Sequence, residues 1–314
     1  MKKWIGFSTV LYLALCSAES MALEENKKRR GFHFGVGQWG GEITGLVAGT
    51  SDKKAYEALA NDPDTAYLDA RIPTFSERGF LITRHVQYWI GYTHNHRYWP
   101  KFEFYYTNVE HTGRTRAKFL IDTKPGFLPD VPPGELNPPL YVKDIFSTEM
   151  LMDVFDLHLS YNIDKLSSDK LFLGFSFVTD LGITLRTMQG DFLESLDERN
   201  LRGYRREAQT KNTPIDLTMP LLFNKLEIQA PRFSLFRWPV DIYANAVNIY
   251  SKEGKSEMID IDLEIGAMTD IFDGKYRIGG FAGYRYAKLK TPEMNGLFSD
   301  TFLEGARGGM RIEF

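Results

Sequence analysis

Cysteine is almost absent from this sequence, since Cys16 is the only one among 314 residues. Disulfide bonds therefore cannot hold the fold together, whatever the redox compartment. A basic excess is also missing, because 38 Lys and Arg stand against 41 Asp and Glu. This balance excludes a general nucleic-acid binder. Beyond the N-terminal segment there is no apolar run of about 18 residues, so we expect no membrane-spanning helix.

The N-terminal segment has the layout of a secretory signal peptide. Two lysines precede an apolar run that ends at Cys16, and Ser20 and Ala22 supply small residues at the −3 and −1 positions of a cleavage site. We predict that residues 1–22 are removed. The mature, exported protein is then a single domain over 23–314.

Alternation of apolar and polar residues dominates the rest of the chain. Residues 256–271 show it most clearly, because isoleucines and a leucine fall on one face and acidic residues on the other. Such alternation predicts a β-strand with one apolar and one polar side. The same period predicts ten strands, within the ranges 31–39, 87–94, 101–111, 155–162, 171–186, 214–228, 238–250, 256–271, 276–286 and 302–314.

Strand length and loop asymmetry favour a transmembrane barrel over a soluble sandwich. Soluble strands usually have about 5 to 6 residues, whereas about 9–11 tilted residues cross a bilayer core, and several predicted strands are longer still. Long connections at 40–86, 112–144 and 188–213 alternate with short ones, as extracellular loops alternate with periplasmic turns in such barrels. The predicted fold is all-β: a transmembrane antiparallel up-and-down β-barrel of about ten strands, with eight to twelve possible.

The C-terminal strand carries a more specific pattern. Small or apolar residues alternate back from the terminal aromatic residue, at Phe314, Ile312, Met310, Gly308 and Ala306. Together with the signal peptide, this ending resembles Gram-negative outer-membrane β-barrel proteins, whose last strand carries an assembly signal. Gly308 departs from the bulky residue often found at its position.

This resemblance implies a location and partners. The location is the cell outer membrane, and the partners are its lipid and lipopolysaccharide, periplasmic chaperones and the barrel-assembly machinery, with Met310, Ile312 and Phe314 as the assembly signal. The segment 35–39 and the stretch 213–314 also resemble a group of small barrel proteins, which implies no activity. We expect a monomer without a nucleic-acid partner.

The polar faces of the strands are expected to line the lumen. Lipid cannot satisfy charges or open sheet edges, so the apolar faces have to point outward. Ten strands enclose an interior only modestly wider than the eight-stranded case, which side chains fill, and charges buried there have to be paired. We therefore predict a ladder of charges in a narrow lumen, formed by Asp260, Asp262, Glu264, Arg277, Arg285, Arg307 and Arg311.

A narrow, charge-filled lumen argues against a general diffusion pore. It favours envelope structure, surface binding or restricted passage of small solutes. The alternative is a hydrolase, because His158, Ser160 and Asn162 are similar in type and spacing to the catalytic residues of outer-membrane phospholipases. Asp156, His158, Asp260 and Asp262 are similar in type to the catalytic residues of omptin proteases, although here they lie within predicted strands instead of at loop junctions. Alternation, however, turns His158 and Ser160 towards the lumen instead of the lipid. No catalytic residue is assigned.

Aromatic residues surround the short turn predicted at 95–100. We expect Tyr88, Tyr92, Tyr98 and Trp99 to form an aromatic girdle at the periplasmic interface. The competing interpretation is the aromatic core of a soluble protein.

Two further patterns suggest cofactors or metals. The segment 35–40 fits a dinucleotide-binding pattern, but no βαβ unit surrounds it, and glycines that face a crowded interior explain it better. His94 and His96 could share one side of a strand, yet the sequence fixes no third ligand. We expect neither a cofactor nor a metal.

Overall fold

Strands make up nearly all of the described part of the chain. The computed structural model describes residues 31–49, 74–80, 83–93, 99–116, 145–163, 175–196, 210–231, 233–235, 238–272, 275–294 and 297–314. The strands are β1 Gly31–Gly49, β2 Thr83–Thr93, β3 Lys101–Arg116, β4 Ile145–Asn162, β5 Ser176–Leu196, β6 Thr210–Gln229, β7 Phe233–Leu235, β8 Trp238–Glu253, β9 Ser256–Ile271, β10 Tyr276–Met294 and β11 Leu297–Glu313. The predicted signal peptide lies outside the described residues.

The ten long strands form one closed antiparallel sheet. Their order is β6-β5-β4-β3-β2-β1-β11-β10-β9-β8, and a pairing between β6 and β8 closes the cylinder. The first and last strands, β1 and β11, share 17 register pairs, whereas β6 and β8 share eight. The short β7 pairs with the beginning of β8. The predicted fold, an antiparallel up-and-down barrel of ten strands, is confirmed. None of the described residues form a helix that is long and apolar enough to cross a membrane.

The barrel has two distinct ends. Gly31 and Phe314 lie at one of them, where β2 also ends and β3 begins. We call this the terminal end and the adjoining part of the barrel the terminal half. At the opposite end, the loop end, β1, β3 and β5 finish. The adjoining part is the loop half.

Several strands are longer than the alternation predicted. β5 spans 21 residues and β6 spans 20. As a result, strands enter all three ranges predicted as long loops, 40–86, 112–144 and 188–213, and those boundaries are corrected accordingly. The physical reason is pairing with neighbours: the extension of β5 is hydrogen-bonded on both sides, to β4 and to β6. The rest of those ranges, apart from 74–80, lies outside the described residues.

The outer surface changes character along the barrel axis. In the terminal half the outward side chains are apolar, as shown by the exposed Phe34, Leu185 and Leu263. In the loop half the outward positions of β6 include the polar, exposed Asp216 and Thr218, although Leu151 on β4 is exposed there as well. Because an apolar outer band suits lipid and a polar one suits water, the two halves of the outer surface suit different surroundings.

Candidate functional site

The inner face of the barrel carries the candidate site, and period two decides which side chains reach it. On β5, Asp180, Thr184 and Arg186 are buried while Leu181 and Leu185 between them are exposed. On β9, Asp260, Asp262 and Glu264 likewise face inward, whereas Ile261 and Ile265 face outward. All seven residues of the predicted charge ladder occupy inward positions on β9, β10 and β11.

Four of the inward charges form a cluster that crosses the lumen, which we call the central ionic cluster: Asp156, Arg186, Asp260 and Arg285. Arg186 donates from Nε and Nη2 to both carboxylate oxygens of Asp156, at 2.6 Å each, and Nη2 also lies 2.6 Å from Asp260 Oδ2. Arg285 donates to the same carboxylate of Asp260 at 2.9 and 2.6 Å. All four side chains are buried. Two positive and two negative charges balance here, so each buried ion has the partner that burial requires.

This cluster joins opposite walls. Asp156 and Arg186 lie on β4 and β5, whereas Asp260 and Arg285 lie on β9 and β10, which are not their neighbours in the sheet. The pair of Asp260 and Arg285 was among the predicted ladder residues. Arg186 was missed as a ladder member, although its parity on β5 placed it on the polar face. Only the closed cylinder brings it to Asp260.

A second group of charges lies nearer the terminal end. Arg307 pairs with Asp262 and, at 3.3 Å, with Glu264, which also accepts a bond from Asn245. The guanidinium of Arg311 lies 5.9 Å from the ring centre of Tyr243. The predicted members Asp262, Glu264 and Arg307 are therefore brought together.

Arg277 joins a third group at the terminal end itself. Its guanidinium lies 2.7 Å from both Asp241 and Glu313 and 3.4 Å from Asp270. Arg277, a predicted ladder residue, therefore belongs to a group that is separate from the central ionic cluster. Other ion pairs in this half, which the sequence did not suggest, are Lys101 with Asp180 and Lys225 with Glu227. His33 Nε2 also lies 3.2 Å from Glu103.

The glycines of the dinucleotide-like segment serve packing. A Cβ added to Gly35 would lie 1.9 Å from Cζ2 of Trp89, so the indole ring occupies the space that any larger residue would need. Trp89 also packs edge-on against Phe281, with ring centres 5.5 Å apart. In this half the lumen is filled by aromatic rings as well as by charges.

The catalytic candidates point into the filled lumen. His158 Nδ1 lies 2.8 Å from the hydroxyl of Thr184, and its ring packs against Tyr105 and Phe223. Ser160 is buried on the same inner face. Asn162 donates to Asp180 at 3.4 Å. The hydroxyl at hydrogen-bond distance from the imidazole is therefore that of Thr184.

The loop half of the lumen is apolar, which differs from the charge-filled interior that the sequence suggested. A cavity of about 100 Å³ lies here, and we call it the apolar chamber. Its floor is the central ionic cluster, through Arg186, Asp260 and Arg285. The apolar part of its wall consists of Trp39, Ile43, Val47, Val109, Met150, Met152, Val154, Met188, Ile215, Met258, Ala287, Leu289, Leu297 and Leu303.

The physical reason for this difference is the change of solvent around the barrel. In the loop half the outward side chains are polar, so the apolar residues of the same strands are the ones that turn inward and form a core. The core residues here include Met188 and Phe192 on β5 and Leu217 on β6, all buried.

A turn over 74–80 borders the chamber at the loop end. Phe75 lines the cavity and is fully buried, its amide donates to the carbonyl of Gly45 at 2.9 Å, and its ring meets those of Phe80 and Phe192 edge-on. Arg78 in the same turn is buried and lies 2.8 Å from Glu194 on β5. This inward turn belongs to the first range predicted as a loop.

Aromatic residues of the predicted girdle are spread over more than one level. Trp99 is 60% exposed beside the terminal end. Tyr92 packs against Phe32 at that end, whereas Tyr88 lies further along β2, stacked on Tyr106. Tyr98 lies outside the described residues. The role of this set as a girdle stays a prediction.

The residues of the predicted assembly signal face outward. Met310, Ile312 and Phe314 are all exposed. Phe314 packs edge-on against Phe34 and Tyr276, with ring centres 5.4 Å away in each case. Their use as an assembly signal stays a prediction.

No metal centre emerges from the described residues, which contain no group of three or more His, Cys, Asp and Glu side chains that could hold an ion. His94 and His96 lie outside these residues. Cavities of about 180 and 50 Å³ occupy the terminal half, both lined by the paired charges.

Comparison with known proteins gives matches to distantly similar solved structures alone. No family model matches the sequence, and no curated protein does. Among solved structures, the outer-membrane protease OmpT from Escherichia coli is similar over 95% of this chain and 100% of its own, with 7% identity and a TM-score of 0.35. The P. putida toluene transporter TodX covers 96% and 92%, with 9% identity and a TM-score of 0.28.

The translocator domain of the autotransporter NalP from Neisseria meningitidis is a third such structure. It covers 100% of this chain and 98% of its own, with 10% identity and a TM-score of 0.27. All three are outer-membrane barrels with different activities, and none of those activities transfers to this chain at such distances. The conclusion therefore rests on the strand pairing itself: this protein has the closed antiparallel architecture of outer-membrane β-barrels.

Proposed function

We propose that the protein is an integral outer-membrane barrel that is closed at rest and acts in envelope structure or surface binding. The observation that carries this proposal is the central ionic cluster, in which Arg186 and Asp260 meet across the lumen at 2.6 Å. The terminal half would span the bilayer with its termini on the periplasmic side, and the loop half would project from the cell surface.

The closure follows from energetics as well as from geometry. Buried charges are stable only with their partners, and separating one such pair leaves an uncompensated ion at a cost of about 3–5 kcal/mol. Arg186 has two carboxylate partners and Asp260 has two guanidinium partners. Passage of even a small polar solute would require these pairs to part, so restricted passage is the upper limit of any transport role.

Location and partners are part of the proposal. An exposed apolar band in the terminal half requires lipid, and the paired charges within it avoid that lipid. Outer-membrane lipid and lipopolysaccharide would then surround the barrel, and periplasmic chaperones with the barrel-assembly machinery would deliver it. Heat-modifiable gel migration in outer-membrane fractions tests this location, and recovery of the folded protein in the soluble fraction would contradict it.

Conductance in planar bilayers tests the closed lumen. We expect the wild-type barrel to show no steady open-channel current. Arg285→Ala removes one side of the central ionic cluster while Asp260 keeps Arg186, so this variant is expected to fold and to conduct more than wild type. Arg84→Ala, at an exposed outward position, is the matched control and is expected to stay closed. Steady wild-type current of the size of a general porin would overturn the proposal.

A further inference from the structure

We infer that the apolar chamber is a binding site for a small, uncharged, apolar molecule of the size of a single aromatic ring. This inference is independent of where the barrel resides, since it concerns a cavity formed by the described side chains themselves. It also goes beyond closure, because the chamber lies on the loop-end side of the central ionic cluster.

The size of the chamber matches such a molecule. Its volume is about 100 Å³, and an apolar cavity of about 150 Å³ in another protein stays dry and takes up benzene or xenon. Three of the side chains around it, Met150, Met188 and Met258, are buried methionines. Met258 Sδ accepts a contact from Arg186 Nη1 at 3.9 Å, whereas the unbranched thioethers of Met150 and Met188 can change rotamer at little cost, so the walls can adjust to a ring.

The polarity of the lining selects an uncharged ligand. Both guanidinium groups at the floor are already bonded to Asp156 and Asp260. The hydroxyl groups on one wall also have partners, because Ser299 and Thr301 lie 2.6 Å apart and lie 3.3 and 3.2 Å from backbone carbonyl oxygens. Lys288, the other charged residue of the lining, donates to Glu257 at 2.7 Å. A carboxylate or ammonium group entering here would find no free counter-charge among these groups and would lose its hydration.

The position of the chamber suits a ligand that arrives from the loop end. Phe75 of the inward turn lines it on that side, and the bond between Arg78 of the same turn and Glu194 attaches the turn to β5. The charged floor on the other side is the less favourable path for an apolar molecule. Entry would therefore involve movement of the turn 74–80 while the central ionic cluster stays intact.

Methyl NMR with benzene as the probe tests the site directly. In folded, full-length mature protein with ¹³C-labelled methionine methyl groups, benzene is expected to shift the signals of Met150, Met188 and Met258 in a saturable manner through its ring current. Met268 lines the cavity at the terminal end and is expected not to shift. Met310, exposed on the outer surface, reports benzene that dissolves in the detergent or lipid.

Two variants that fill the chamber and one control variant keep the test decisive. Val109→Phe fills the chamber from β3, and it is expected to abolish the saturable shifts; Ile215→Phe does so from β6 if the first variant fails to fold. Leu185→Phe places the same side chain on the outer surface and is expected to leave them unchanged. Benzoate, of similar size but charged, is expected to produce no such shift.

The opposite outcomes are equally clear. Absence of saturable shifts in wild type, or their persistence in a folded Val109→Phe or Ile215→Phe protein, would show that the chamber does not bind the probe. A saturable response to benzoate in place of benzene would overturn the assignment of an uncharged ligand. None of these results depends on whether the barrel conducts, so this inference and the proposed function fail separately.

Discussion

Apolar and polar residues alternate along the strands in both halves of this barrel, but the apolar residues face opposite sides of the sheet in the two halves. In the terminal half apolar side chains point outward and charges point inward, whereas in the loop half polar side chains point outward and the interior is an apolar core. β5 contains both arrangements: Leu181 and Leu185 are exposed, and after Arg186 the buried positions are taken by Met188 and Phe192. The comparison teaches that the surrounding solvent, and not the strand, decides which face is apolar.

The central ionic cluster lies where the two arrangements meet, and it should give the largest effect. Arg186→Ala leaves Asp156 and Asp260 buried with one fewer partner, and we expect a loss of about 3–5 kcal/mol in the free energy of unfolding. Urea unfolding of protein in lipid vesicles measures it. Arg84→Ala, exposed on the outside, is the control and should change little. Equal effects in both variants would mean that the cluster contributes nothing specific.

The core of the loop half is the next place to test. Leu217 is fully buried, whereas Leu222 on the same strand is 55% exposed. Leu217→Ala creates a cavity and is expected to cost about 2–5 kcal/mol. Leu222→Ala is expected to cost less, because lipid can fill the space. The same unfolding experiment compares them, and a larger loss in Leu222→Ala would reverse our assignment of the two faces.

A charge introduced on the outer surface tests whether lipid surrounds the terminal half and water surrounds the loop half. Leu263→Arg introduces a guanidinium at a half-exposed outward position of the terminal half, and a cost of about 2–4 kcal/mol is expected if that position lies near the bilayer midplane. Thr218→Arg makes the same kind of change on the outer face of the loop half, where water solvates the charge. Similar stability of the two variants in vesicles would argue against a lipid boundary between them.

The smallest expected effect is at His158. Its imidazole is buried among Thr184, Tyr105 and Phe223 and borders a cavity of only about 50 Å³. That cavity is too small to admit a phospholipid or a peptide. We expect no hydrolysis by wild-type protein above a boiled sample, and no change in His158→Ala. Activity in wild type that disappears in this variant would favour the hydrolase alternative.

The fold could be predicted from the sequence to the extent that the alternation keeps one phase. All ten strands were found, and the inward direction of Asp260 and Arg285 followed from parity alone. The continuation of β5 to Leu196 did not follow, because the apolar residues change from odd to even positions after Arg186. A change of phase reads as the end of a strand, although here the strand continues into a different solvent.

The sequence predicted which types of residue line the site, but it did not predict all the pairs that these residues form. Parity says which residues enter the lumen, while the partner across it depends on the closure of the cylinder. Arg186 and Asp260 are 74 residues apart, and Arg78 and Glu194 are 116 apart. No local pattern encodes such contacts. The apolar chamber was missed for the same reason as the extension of β5, since its lining comes from the inverted parts of the strands.

The unequal seams of the cylinder determine where the wall is weakest. Seventeen register pairs join β1 to β11, but β2 and β3 meet over seven, between Val86 and Tyr92, and β6 and β8 meet over eight, between Leu222 and Gln229. Backbone hydrogen bonds act in parallel along a seam, so the shorter seams open first under thermal or mechanical load. Fraying therefore begins at these two seams, while the joint between the first and last strands stays shut.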